Sequence, residues 1–171
     1  MSGTSVADQA ENRAELVKLG RNLNTMAAAL RLGAAESLAK IAVVITNEIK
    51  LELSRPGTGI TYYRGSKRAG TRVAHVASAP GEPPAPDTGQ YRASWHWVPG
   101  DDVLGPYVDI GTNMQIGVYL EFGTIFMAPR PHLRPVIERS IGEIRSMVAR
   151  TIAEKQTEAL RSLYVGGKGI L

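Results

Sequence analysis

Apolar residues at steps of three and four positions predict two helices in the N-terminal third. From Asp8 to about Leu30 the stripe is weak, carried by Leu16, Leu19, Leu23, Met26 and Leu30. Arg31-Leu-Gly33 interrupts it. From Ala34 to Leu53 it is cleaner: Leu38, Ile41, Ala42, Ile45, Ile49 and Leu53 share a face, with Glu36, Lys40, Asn47 and Lys50 elsewhere. Such a helix of about 20 residues would run roughly 30 Å before Ser54-Arg-Pro-Gly57 stops it. A third stripe, Ile137, Ile141, Ile144, Val148, Ile152, Ala159 and Leu163, predicts a C-terminal helix from about Pro135 to Leu163. At roughly 40 Å it outruns a small sheet, so part of its apolar face is expected on the second helix or another subunit.

Between the helical stripes the pattern changes to strands. Thr71–Ala77 reads as a short strand, and Ser94-Trp-His-Trp-Val98 as another with Trp95 and Trp97 on one face. Pro99-Gly-Asp-Asp102 reads as a turn, and Val103-Leu104 with Tyr107–Ile110 as a strand broken at Gly105-Pro106. In Val118-Tyr-Leu-Glu-Phe122 the alternation buries Val118, Leu120 and Phe122 and turns Tyr119 and Glu121 to the other face. Gly123 ends that strand. The predicted class is α+β: a small antiparallel sheet of about four strands packed against a long helix from the N-terminal half and a long C-terminal helix.

The connections carry as much information as the elements. Pro129, Pro131 and Pro135 forbid helix and central strand until the last of them, making a rigid elbow before the C-terminal helix. Ser78–Gly89 holds Pro80, Pro83, Pro84 and Pro86 and is expected to be extended and stiff. Asp87 or Thr88 then caps a short helical turn at Gln90–Ala93. Gly57–Gly70 reads as a loop. From Ser54 to Gly81 there are five basic residues, Arg55, Arg64, Lys67, Arg68 and Arg72, and no acidic one, with Tyr62 and Tyr63 among them. Loops this long are more often functional than idle, so Tyr62, Tyr63, Arg64, Lys67, Arg68 and Arg72 form a candidate arm for a neighbouring subunit or a DNA backbone. The organisation expected is a disordered stretch at 1–7, one domain at 8–165 with the basic loop at 54–72, and a flexible tail at 166–171.

Composition narrows the function classes. With 43% hydrophobic and 21% charged residues the chain is ordinary for a globular protein. It has no cysteine, which excludes disulfides and thiolate metal sites. Met1–Asp8 lacks the pattern of a secretory signal, and the apolar run Ile41–Ile45 is far too short to span a bilayer, so a cytosolic site of synthesis and no membrane partner are expected. A net charge of +4 permits polyanion binding without requiring it. His75, His96 and His132 lie in separate elements, without metal-ligand spacing. No phosphate-cradling glycine loop is present, and Ser94 with His96 lacks an orienting acid. No catalytic residue, metal or cofactor is expected. Glu121 is either a solvated carboxylate or a partner for Arg130 or Arg134, within the elbow or across a subunit boundary.

Three groups of residues then appear in order: Ser54-Arg-Pro-Gly-Thr-Gly59; Ser78-Ala-Pro-Gly-Glu-Pro-Pro-Ala85 with Asp87–Ser94; and Tyr119-Leu-Glu-Phe-Gly-Thr124 with Arg130-Pro-His-Leu-Arg-Pro135. In these the chain resembles the neck, or tail-component, family of long-tailed bacteriophages, small proteins of head–tail joining and tail completion. The resemblance covers about residues 20–163, and departs at His132, where an aromatic is expected, and at Val136, where a small residue is usual. It implies a non-enzymatic virion protein, made in the host bacterial cytoplasm and assembled as a homo-oligomeric ring of about six or twelve copies. Adjacent head-completion and tail proteins would be its partners, and DNA would pass through the lumen. Tyr119, Glu121, Phe122, Arg130 and Arg134 would then lie at the inter-subunit interface, with Glu121, Arg130 and Arg134 of the elbow setting the angle between protomers. Alternatives are a tail terminator ring capping the tail tube, or a small basic nucleic-acid-binding protein.

Overall fold

A computed structural model describes residues 6–166. The stretches expected to be disordered at 1–7 and flexible at 166–171 lie almost wholly outside the described residues. The order is α1 (Val6–Glu52), β1 (Thr61–Arg64), β2 (Val73–Val76), α2 (Gln90–Ala93), β3 (His96–Asp102), β4 (Gly105–Gly111), α3 (Ile116–Phe122) and α4 (Leu133–Gly166). The α+β class follows the sequence pattern, with two antiparallel hairpins, β1–β2 and β3–β4, in place of one sheet.

The two expected N-terminal helices are a single helix of 47 residues. Gly33 does not break it. A Cβ at that position would collide with the Lys155 side chain of α4, so the glycine serves the close approach of two helices. The helices run antiparallel: Gly33 lies against Lys155, and at the other end the buried Glu52 meets Arg139 at 3.0 Å and Arg55 at 3.2 Å. Ile41, Ile45 and Ile49 of α1 and Leu53 just beyond its end form the core with Trp95 and Val136, flanked by Tyr91, Ile110, Leu133, Ile137, Ile144, Met147 and Val148. Ile41, Ile45, Ile49 and Leu53 of the cleaner N-terminal stripe face Ile137, Ile144 and Val148 of the C-terminal one, whereas Ile141 and Ile152 of the latter are exposed. Toward the N-terminus α1 has no such cover among the described residues: Leu16, Val17, Leu19 and Leu23 are all more than half exposed.

The β3–β4 hairpin lies along α1 and pairs from His96↔Gly111 to Asp102↔Gly105, leaving Val103-Leu104 as a two-residue turn. The turn expected at Pro99–Asp102 is therefore strand, and the break expected at Gly105-Pro106 is absent. Both prolines fit because each strand of a two-stranded ladder has an open edge, where a missing N–H costs nothing. The strand expected at Thr71–Ala77 forms as β2, and within the expected loop at 57–70 lies a further strand, β1, which pairs with it from Thr61↔Val76 to Arg64↔Val73 to make an exposed hairpin. The short turn α2 forms where expected, but its N-cap is Gly89 at φ 79 with no side-chain cap; Thr88 Oγ1 only approaches the Gln90 N–H, at 3.4 Å.

The segment Val118–Phe122 is helix, not strand. Of its three expected buried positions, Val118 and Phe122 are exposed, at 59% and 65%, and Leu120 is half-buried. Seven residues are too few for period alone to separate a strand from two helical turns. Gly123 still ends the element: its φ is 77, its N–H bonds Tyr119 O at 2.9 Å, and a Cβ there would stand 2.7 Å from Met127 O. Among the described residues no helix is long and apolar enough to cross a membrane.

Candidate functional site

The proline elbow between α3 and α4 is closed by hydrogen bonds rather than by packing alone. Prolines remove donors, so the remaining N–H groups of the elbow need acceptors. The Arg130 N–H bonds Leu120 O at 2.7 Å, and the Gly81 N–H bonds Pro129 O at 3.0 Å. At the start of α4 the open N–H groups of His132 (2.9 Å), Leu133 (3.0 Å) and Arg134 (2.9 Å) all converge on the Glu121 carboxylate. The helical form of α3 makes this possible by turning Glu121 inward, away from the face on which strand alternation would place it. Burial works against ionisation of Glu121, yet the three backbone donors and nearby His132 outweigh it and hold the carboxyl below the usual carboxylate range.

His132 sits behind this cap at 1% exposure. Its Nδ1 lies 3.1 Å from Arg130 O and 3.1 Å from Glu121 Oε2, both acceptors, so Nδ1 carries the proton. Nε2 then accepts the Tyr91 hydroxyl at 2.6 Å. Burial pushes the imidazole below its ordinary value, against the opposing pull of the Arg130 carbonyl and of the Glu121 and Glu52 carboxylates. Burial likewise raises Tyr91 to about 12. Trp95 packs edge-on against both rings, 6.1 Å from Tyr91 and 5.6 Å from His132. The elbow, α2 and the start of β3 are thus locked into one unit.

Beside this unit opens a groove of about 560 Å³ whose apolar wall includes Trp95, Ile110, Val118, Phe122, Leu133 and Ile137. Arg134 and Glu138 stand on its rim. This cleft falls in the size range of binding pockets. Among the described residues no group of three or more His, Asp or Glu could hold a metal ion.

The residues expected at a subunit interface separate into two kinds. Tyr119 and Phe122 are exposed, at 45% and 65%. Glu121, by contrast, meets neither expected guanidinium: Arg134 reaches it through backbone N–H, and the Arg130 side chain donates to Ser78 O and Oγ, and to Ala79 O at 3.4 Å. Arg130 therefore straps the proline-rich connection to the elbow. The six residues of the basic arm do come together, on the β1–β2 hairpin and its turn. Arg64 is paired with Asp87 at 2.8 Å, and Arg72 lies 3.8 Å over the Tyr63 ring. Sequence reasoning missed the Tyr91–His132 pair and the open turn Val103-Leu104. The pair left only a histidine at a position where the resemblance leads one to expect an aromatic. The turn, being apolar, has the composition of a strand interior.

No family model matches the chain, and comparison with curated proteins and with solved structures gives no match.

Proposed function

We propose that this chain is a non-enzymatic structural protein of a tailed-bacteriophage virion, assembled with copies of itself into a ring at the head–tail connector. The ring would join the portal side to the tail and leave a lumen for DNA. The observation that carries the reading is the apolar surface left open at separate places: Leu16, Leu19 and Leu23 on α1, Val103 and Leu104 on the β3–β4 turn, and Val118, Phe122, Ile125 and Phe126 around the elbow. Open apolar surface of this extent marks interaction sites. Unlike surfaces on one body favour head-to-tail contacts, which close into rings when the rotation allows. The choice of the neck among ring-forming proteins rests on the motif resemblance. Within it, Tyr119 and Phe122 contact the neighbour, while Glu121 and Arg130, with the backbone of Arg134, fix the elbow from inside.

Electron microscopy of the purified protein, with antibody labelling of intact virions, tests both halves. Rings, and label at the junction of head and tail, are expected. A chain monomeric at all concentrations, or missing from the particle, overturns the proposal. The exposed basic hairpin favours a second reading, contact with a DNA backbone, tested by salt-dependent duplex binding.

A further inference from the structure

The two faces of the β1–β2 hairpin differ in what their cations touch. Paired residues of an antiparallel ladder share a face, and successive residues change it. Tyr62, Arg64 and His75 therefore lie on one face, and Tyr63 with Ala74 on the other. Arg64 bonds Asp87 at 2.8 Å and His75 is half-buried, which turns the first face toward the proline-rich connection. The second face is open. Arg72, two residues before Ala74, lies on it with its guanidinium 3.8 Å over the ring of Tyr63, itself 58% exposed. Arg55 pairs with Glu52 and Arg64 with Asp87, whereas among the described residues Lys67, Arg68 and Arg72 form no ion pair. The turn that carries Lys67 and Arg68 is braced: Thr71 Oγ1 accepts the Ser66 N–H at 3.1 Å, and the Thr71 N–H bonds Ser66 O at 3.1 Å.

We propose that the Tyr63–Arg72 stack anchors the phosphate backbone of duplex DNA, with Lys67 and Arg68 beside it on the turn. The inference rests on the DNA-contact reading above and names the group that makes the contact. A guanidinium stacked on a ring keeps its N–H donors at the edge, and Arg72 gives none of them to another described residue. The ring holds that fork in place before any ligand arrives, so binding loses less ordering entropy. Its paired donors match two oxygens of one phosphate. Charge selects the partner. From Ser54 to Gly81 there is no acidic residue. The acids that follow are both engaged, Asp87 by Arg64, and Glu82 by the Thr58 hydroxyl at 2.5 Å, the Thr58 N–H at 3.2 Å and the Ala79 N–H at 2.8 Å. Duplex DNA offers an unbroken row of phosphates, one charge per about 1.7 Å of axis, which three neighbouring cations meet without a fixed register.

Substitutions that keep the charge but remove the fork or the ring test this, with a labelled duplex titrated at several salt concentrations. Arg72→Lys is expected to bind about tenfold more weakly with the salt slope unchanged, since one charged contact remains but its paired hydrogen bonds do not. Tyr63→Leu is expected to lose about threefold, and Tyr63→Phe, which keeps the ring, to bind as the wild type does. If the wild type binds and Arg72→Lys binds equally, the anchor is overturned while the DNA-contact reading stands. If the wild type shows no duplex binding at low salt, both fall. Polyglutamate of matching charge that displaces the duplex as well as unlabelled duplex does would assign the surface to an acidic protein and overturn the proposal. Should a variant misfold, the wild type answers alone: duplex is expected to protect Arg72 from phenylglyoxal, read by mass spectrometry, and to leave Arg64 as reactive as before. Arg72 modified equally with and without duplex overturns the anchor.

Discussion

The Glu121 carboxylate accepts the backbone N–H of His132 at 2.9 Å, across the whole proline-stiffened elbow. One side chain from α3 therefore caps α4, and the angle between the two helices depends on it. Substitutions that remove a capping acceptor cost about 0.5–2 kcal/mol, and Glu121 serves three donors. Glu121→Ala is expected to lower stability by about 2 kcal/mol and Glu121→Gln, which keeps one acceptor oxygen, by about 1 kcal/mol. Urea denaturation followed by circular dichroism measures both. Equal midpoints for Glu121→Ala and wild type would refute the cap.

The same unit predicts acid sensitivity in two stages. His132 is held below its ordinary 6.5, so the unfolded chain takes up a proton before the folded one does. Stability is then complete above pH 6.5 and declines as pH falls toward the depressed folded value. Glu121 is also depressed, from 4.5, so its contribution is present above 4.5 and is lost as pH falls through its folded value. Denaturation midpoints measured across pH should show the upper stage vanish in His132→Gln, which retains an acceptor for Tyr91. Persistence of that stage would assign it to another group.

How much of this was legible depended on how much of each element is buried. The stripes of α1 and α4 could be read because Ile41, Ile45, Ile49 and Leu53 pack in one core with Ile137, Ile144 and Val148. Where apolar residues are exposed, the pattern misleads. Val118 and Phe122 alternate as a buried strand would, but they face outward from a short helix. Gly33 and Pro99 resemble breaks because glycine and proline usually are. Here one permits a close helix approach and the other sits in a ladder with open edges. The cap formed by Glu121 joins residues across the elbow and leaves no periodic signal.

Two glycines should respond oppositely to alanine. Gly123 holds φ 77, and a Cβ there would stand 2.7 Å from Met127 O and 2.9 Å from Pro129 N. Gly123→Ala is expected to destabilise by about 1–3 kcal/mol. Gly142 lies within α4 with open space around its missing Cβ, and Gly142→Ala should stabilise by about 0.5–1 kcal/mol. Thermal unfolding of the pair decides whether the elbow glycine is conformationally required.

The β1–β2 hairpin separates its cations into two sets, which makes the DNA reading testable without disturbing the fold. Arg64 is engaged with Asp87, and Arg72 covers the Tyr63 ring, so replacing either also alters the hairpin itself. Lys67 and Arg68 lie at the turn, fully outside the ladder and exposed. Each phosphate contact contributes about 0.9 to the slope of log affinity against log salt on duplex DNA. If these two side chains meet the backbone, Lys67→Ala with Arg68→Ala should flatten that slope by about 1.8 and leave the unfolding free energy within about 0.5 kcal/mol of wild type. Fluorescence anisotropy with a labelled duplex at several salt concentrations reads the slope directly. An unchanged slope would remove the turn from any DNA contact, and the hairpin would then be left to face a neighbouring protein, where its tyrosines, Tyr62 and Tyr63, supply the contact area.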